Sequence, residues 1–219
     1  MRMKDIRWKW QDTLIVLVGL AAVLFALLNY SKLPDRLPVQ FGIKGQVNRT
    51  WNKELAIGVW GTVGILLPLL LQLTRRMDPK RENYKKFENA YAMTRLMVGV
   101  LLNLMLVVSV LHGLGRAPNI AKFSLIGAGL LLMVIGNFLP QVKDNYLFGI
   151  RTPWTLNSPE VWRRTHRISG TLWVIAGLLI ILAALLSGTV ALVLIIASLF
   201  LAIPTPIVYS WQVSRIVRD

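Results

Sequence analysis

The chain has 219 residues, of which 55% are hydrophobic and 16% charged, whereas about 25% of a soluble domain is charged. With a mean hydropathy of +0.56 it needs lipid as its solvent, which excludes an ordinary soluble fold. A net charge of +15 in such a chain serves orientation and contact with anionic headgroups before any direct contact with nucleic acid, and the absence of cysteine removes disulfides and thiolate chemistry.

In chain order, residues 1–10 are basic and run into an apolar stretch with no small-residue cleavage site behind it, so they read as the lead into a retained first helix. Six apolar runs follow, at 13–29, 55–73, 96–114, 123–139, 168–186 and 189–209. Each approaches the length that crosses about 30 Å of hydrocarbon, where a helix satisfies its own backbone groups. The expected fold class is an all-α polytopic membrane protein of about six transmembrane helices. Pro68, Pro204 and Pro206 each remove a helical hydrogen bond and predict bends, in the sixth helix above all. Tyr and Trp residues such as Trp8, Trp10, Tyr30, Trp173, Tyr209 and Trp211 gather near span ends, as interfacial anchors do. Eighteen of the 25 basic residues fall on the side of the N-terminus, the second and fourth loops and the tail. Lys and Arg resist translocation, so both termini are expected in the cytoplasm of a bacterial cell membrane.

Two regions are expected, residues 1–75 and 76–219, each with one loop that is more than a connector. In the first loop, 31–53, Val39, Phe41 and Ile43 alternate as in a short strand, Pro34 and Pro38 stiffen the approach, and Gly45 and Asn48 suit a tight turn. An ordered extracytoplasmic cap is expected, with Pro38, Phe41, Gly45 and Trp51 as candidate binding residues. The fourth loop, 137–167, should lie in the cytoplasm and has the denser pattern. Ser158 reads as an N-cap with Pro159 at the first helical position, so a helix should start there and run into the fifth span. On it Trp162 and His166 share one face, and Arg163 and Arg167 the next. Asn137, near the end of the fourth span, can bond to another helix or to a loop backbone. Arg151, between Gly149 and Pro153 and close to Trp154, suits stacking on an indole or a grip on a carboxylate; the blander alternative is a pin to headgroups or to Glu160. Pro140, Asn145, Thr152 and Thr155 complete the candidate set.

The two histidines, His112 and His166, fall at opposite faces in this topology, so no metal centre is expected. The spans hold essentially no ionisable residue, Asn103 being the most central polar side chain, which disfavours ion-coupled transport. No phosphate loop, nucleophile elbow or intramembrane carboxylate pair is visible, so no catalytic residue and no cofactor are assigned. Gly58, Gly61 and Gly64 line one face of the second span and permit close helix contact, within one chain or between two.

The stretch Asn145-Tyr146, Gly149-Ile150-Arg151-Thr152-Pro153-Trp154-Thr155, then Glu160, Trp162 and Thr165-His166-Arg167, resembles the hallmark of the SdpI family of bacterial membrane immunity proteins. The first loop with its flanking span, through Leu37-Pro38-Val39-Gln40-Phe41 and Gly45, resembles the small uncharacterised domain that commonly precedes it. Relatives carry a histidine near the place of Phe41, so any role of that histidine does not transfer. The resemblance implies protection from a secreted, membrane-active peptide toxin. Its implied partners are membrane lipids, that toxin and, where a member also signals, a small cytoplasmic repressor held at the membrane. Two other readings stay open: a small transporter or exporter of an amphiphilic peptide or lipid-like substrate, and a membrane enzyme working through Arg151, Thr155, Glu160 and His166.

Overall fold

A computed structural model describes residues 8–42, 45–116 and 119–217; the charges at Arg2, Lys4, Arg7, Lys44 and Arg218 and the strand position at Ile43 lie outside the described residues. In chain order the helices are α1 Trp10–Leu28, α2 Lys53–Met77, α3 Glu88–Gly113, α4 Ile120–Phe138, the single-turn α5 Pro153–Asn157, α6 Pro159–Leu185, α7 Gly188–Ala202 and α8 Pro204–Ile216. Among the described residues six helical segments are long and apolar enough to cross a membrane, with α7 and α8 together making the sixth. Contacts group the chain into two units, Met1–Gln72 with Arg95–Ser124, and Leu73–Thr94 with Leu125–Asp219.

The first unit inverts the soluble rule, because lipid is as good a solvent for leucine as the interior is. α1 buries Ile15, Gly19, Ala22 and Ala26 on one stripe and leaves Leu17, Leu20, Leu24 and Leu28 exposed. Small residues inside let backbones approach, and the glycines of α2 are used the same way. A Cβ added at Gly61 would meet Val23, one at Gly64 would meet Asn103, and only Gly58 faces open space. Between α1 and α2 the chain forms an antiparallel hairpin of β1 Arg36–Phe41 and β2 Val47–Asn52, pairing Arg36 with Asn52 and Leu37 with Trp51. Leu37 is fully buried, in a core with Ala22, Ala26, Ile57, Leu106 and Val110. Ser109 Oγ donates to the Pro38 carbonyl at 2.6 Å.

Hydropathy placed Asp12 and Arg95 outside the spans, but α1 and α3 extend over both. Each is almost wholly buried, and Arg95 Nη1 meets Asp12 Oδ1 at 2.6 Å. Gln72 Nε2 donates to the same oxygen at 2.8 Å, and the Lys9 backbone N–H to Oδ2 at 2.9 Å. The pair lies just outside the apolar runs read from the sequence, in the first turns that the helices add to them. A window average hides a charge at the end of an apolar run, and a carboxylate becomes tolerable at depth once cations and donors surround it.

The second unit packs α4 against α6 through two glycine pairs. A Cβ at Gly129 would stand 2.6 Å from the Gly177 carbonyl oxygen and one at Gly177 2.4 Å from that of Gly129; Gly136 and Gly170 repeat the arrangement. The pairing of 129 with 177 and 136 with 170 makes the two helices antiparallel, with backbones in direct contact. The sixth span breaks at Ile203, between α7 and α8.

At Pro68, Pro204 and Pro206 the carbonyl that the proline leaves without a donor, four residues back, has a side-chain partner. Pro68 leaves the Gly64 carbonyl, which accepts from Asn103 Nδ2 at 3.0 Å. Pro204 leaves that of Phe200, which accepts from Thr205 Oγ1 at 2.8 Å. Pro206 leaves that of Ala202, which accepts from Trp173 Nε1 at 2.9 Å.

Candidate functional site

The site is the connection from α4 to α6, closed from below by the segment that follows α2. Asn145 organises its first half. Its amide donates to the carbonyls of Lys143 and Phe148, both at 2.8 Å, and its Oδ1 accepts from the backbone N–H groups of Leu147 (3.0 Å) and Phe148 (2.6 Å). The side chain is fully buried and replaces the backbone ladder that an irregular loop lacks. The Tyr84 hydroxyl reaches the same oxygen at 3.3 Å.

Gly149 marks the second half. Its φ is +113°, and a Cβ there would stand 2.5 Å from His166 Nε2. That close approach lets the Ile150 N–H donate to His166 Nε2 at 3.0 Å. An accepting Nε2 carries no proton, so the ring is neutral and its Nδ1–H donates to the Trp162 carbonyl at 2.9 Å. The imidazole stacks on the Trp162 indole with centroids 4.1 Å apart, and the indole Nε1 donates to the Val142 carbonyl at 2.8 Å. One turn of α6 thus holds both ends of the loop. Thr152 caps α5: its Oγ1 accepts from the Thr155 N–H at 3.2 Å and shares a hydrogen bond with Ser210 Oγ of α8 at 3.0 Å. Thr155 Oγ1 donates to the Ile150 carbonyl at 2.9 Å. Ser158 caps α6, accepting from the Val161 N–H, with Pro159 in the first turn.

Sequence reasoning missed the floor beneath the loop. Asp78, 2% exposed, accepts from the Tyr146 N–H at 2.8 Å and from the Tyr84 hydroxyl at 3.1 Å through Oδ2, and from the Lys80 N–H at 2.8 Å through Oδ1. Lys80 pairs with Asp144 at 2.7 Å, and Asn83 Nδ2 donates to the Asp144 carbonyl at 2.9 Å. Burial, then the Asp78 carboxylate, raises the Tyr84 phenol well above its ordinary value, so it is a fixed donor. Asp78-Pro79 carries a local turn signal, but nothing in it announces a partner more than sixty residues away.

The structure therefore brings Asn145, Gly149, Thr152, Thr155, Trp162 and His166 together and leaves other candidates at the surface. Arg151 is exposed, and its Nη1 donates to the Tyr146 carbonyl at 2.7 Å. Glu160 lies between Arg163 (Oε1 2.7 Å and Oε2 2.8 Å) and Arg164 (2.6 Å). Trp154 is half-buried, while Asn137, Pro140, Pro153 and Arg167 are exposed. Asn137 has no side-chain hydrogen bond among the described residues, and Pro140 packs beside Gly170. With Lys143 also exposed, the outer skin is basic. In the hairpin, the Phe41 ring meets His112 edge-on at 5.8 Å, Gly45 turns with φ +80°, Pro38 supplies the carbonyl bound by Ser109, and Trp51 packs on the core around Leu37.

Comparison with known proteins gives matches to two segments of the chain. Residues 141–210 match the SdpI/YfhL protein family, and residues 16–67 match a domain of unknown function, DUF1648. The immunity protein SdpI of Bacillus subtilis (strain 168) is 24% identical over 196 residues, covering 88% of this chain and 90% of that protein. No solved structure matches. The similarity to the SdpI/YfhL protein family falls on the segment that holds the buried Trp162–His166 clasp, and the match to DUF1648 lies ahead of it.

Proposed function

We propose that this protein is a non-enzymatic membrane immunity protein that protects its cell from a secreted, membrane-active peptide. The observation that carries the reading is similarity to an immunity protein along nearly its whole length. The site supports it, because groups that could do chemistry are engaged in holding the loop. His166 has both ring nitrogens in hydrogen bonds, the Thr155 hydroxyl is donated to a carbonyl, and Glu160 is clamped by two arginines. What remains outward is a basic, aromatic-edged surface suited to recognition. The excess of Lys and Arg on one side supports a cytoplasmic position for that surface, where it would fit an acidic partner such as a repressor, and an external position for the hairpin, where it would meet the peptide. Expression in a toxin-sensitive bacterium should preserve survival and membrane potential against the cognate peptide. Unprotected cells across a panel of such peptides, at normal membrane expression, would sink the proposal. Arg151→Ala should weaken immunity or partner recruitment without unfolding the chain.

A second reading, export of an amphiphile, draws on the Asp12–Arg95 pair buried near the ends of two spanning helices, since ionisable groups within spans commonly mark transport paths. Flux of labelled peptide in proteoliposomes separates the two: immunity by binding predicts none.

A further inference from the structure

At the hairpin end of the first unit a half-open cleft of about 320 Å³ is lined by Phe25, Asn29, Lys32, Gly113, Leu114 and Arg116. We propose that it binds the phosphate of an anionic phospholipid, with one acyl chain running down the outside of α1. Lys32 and Arg116 are both exposed, and among the described residues neither has an ion pair or a side-chain hydrogen bond. Nearby carboxylates are engaged elsewhere, Asp35 with Lys53 and Glu54 with the Tyr30 hydroxyl. Two cations that share a cleft and lack a counter-ion repel each other unless an anion comes between them. A guanidinium offers a planar fork and an ammonium a point charge, a pairing that suits phosphate oxygens. Asn29 bonds the Phe25 carbonyl through Nδ2, and its Oδ1 can take a headgroup hydroxyl.

Depth and surroundings select a lipid over a peptide. Asn29 is the residue after α1 and Gly113 the last of α3, so the cations stand at the end of two spans, the level of headgroups. Phe25 lies one turn deeper, and beside it Leu24, Leu27 and Leu28 are 56%, 56% and 72% exposed. The apolar surface thus continues from the cleft toward hydrocarbon, the direction an acyl chain takes. The volume, at the small end of ligand clefts, suits a headgroup with its chains outside.

The test is native mass spectrometry of the full chain in mild detergent, titrated with dioleoyl phosphatidylglycerol or dioleoyl phosphatidylcholine. We expect phosphatidylglycerol to be retained about tenfold more strongly than phosphatidylcholine, and that preference to vanish in Lys32→Gln/Arg116→Gln and return in Lys32→Arg/Arg116→Lys. Thermal unfolding without added lipid should be the same for all three proteins, since both side chains are exposed; the single variant Arg116→Gln serves if the double does not fold. Equal retention by wild type and the glutamine variant overturns the site. Displacement of the lipid by inorganic phosphate alone assigns the cleft to a free anion, and displacement by an apolar peptide with a free C-terminal carboxylate but not by its amide assigns it to a peptide. Either result overturns the lipid.

Discussion

At residue 149 the backbone carries two demands at once, a positive φ and an approach to His166 that leaves no room for a methyl group. Gly115 shares only the first: its φ is +74° and a Cβ there would meet nothing within 4 Å. Gly115→Ala should therefore cost about 1–2 kcal/mol, the handedness penalty alone, whereas Gly149→Ala should cost about 2–4 kcal/mol, since the Ile150–His166 hydrogen bond must also give way. Thermal unfolding in detergent reads both, and equal losses would refute the close approach. The Asp12–Arg95 pair makes a second contrast. Asp12→Leu alone leaves a guanidinium at depth without its carboxylate and should cost about 3–5 kcal/mol, while adding Arg95→Met should recover most of it. The same unfolding measurement on the double variant decides the matter: a loss equal to the sum of the singles would mean that the two charges do not interact. At this scale the sequence was half legible. Asn145, Trp162 and His166 stood out as a dense pattern, yet what each one binds depends on chain closure that no local spacing reveals.

Secondary elements were easier to read, because apolar length and caps are local properties. The Ser158 cap with Pro159 behind it marked the start of α6, as expected, and the proline-rich sixth span does break. Hydropathy could not show how the helices pack, since it scores a glycine the same whether it faces lipid or a neighbouring backbone. The paired glycines of α4 and α6 make a sharp prediction: Gly177→Leu should abolish folding of the second unit, whereas Gly58→Leu, which faces open space, should be tolerated. Trypsin resistance in detergent distinguishes them. The proline-capping pairs predict coupling. Trp173→Phe orphans the Ala202 carbonyl and should cost about 1–3 kcal/mol. In a Pro206→Ala background the restored N–H supplies the lost partner, so the same substitution should cost about 1 kcal/mol less. Additive losses would show that the indole does not serve the proline's carbonyl.

For the whole molecule, composition alone specified the solvent, and the six spans followed from length. Orientation rests on eighteen basic residues against seven, so alkaline phosphatase fused after Asp219 should be inactive and a fluorescent protein in the same place should glow; the reverse pattern would invert the two faces. The proposed function rests less on any span than on resemblance, and the fourth loop was not legible by itself because its organising contacts reach over sixty residues, as between Asp78 and Tyr146. The capped prolines have a mechanical corollary. A proline frees the carbonyl four residues back, and that position can swing only when the carbonyl has no fixed partner. Here Asn103, Thr205 and Trp173 each bolt that joint. Any change of backbone direction at these prolines must first break such a bond, so each position has a threshold where a free hinge would have slack.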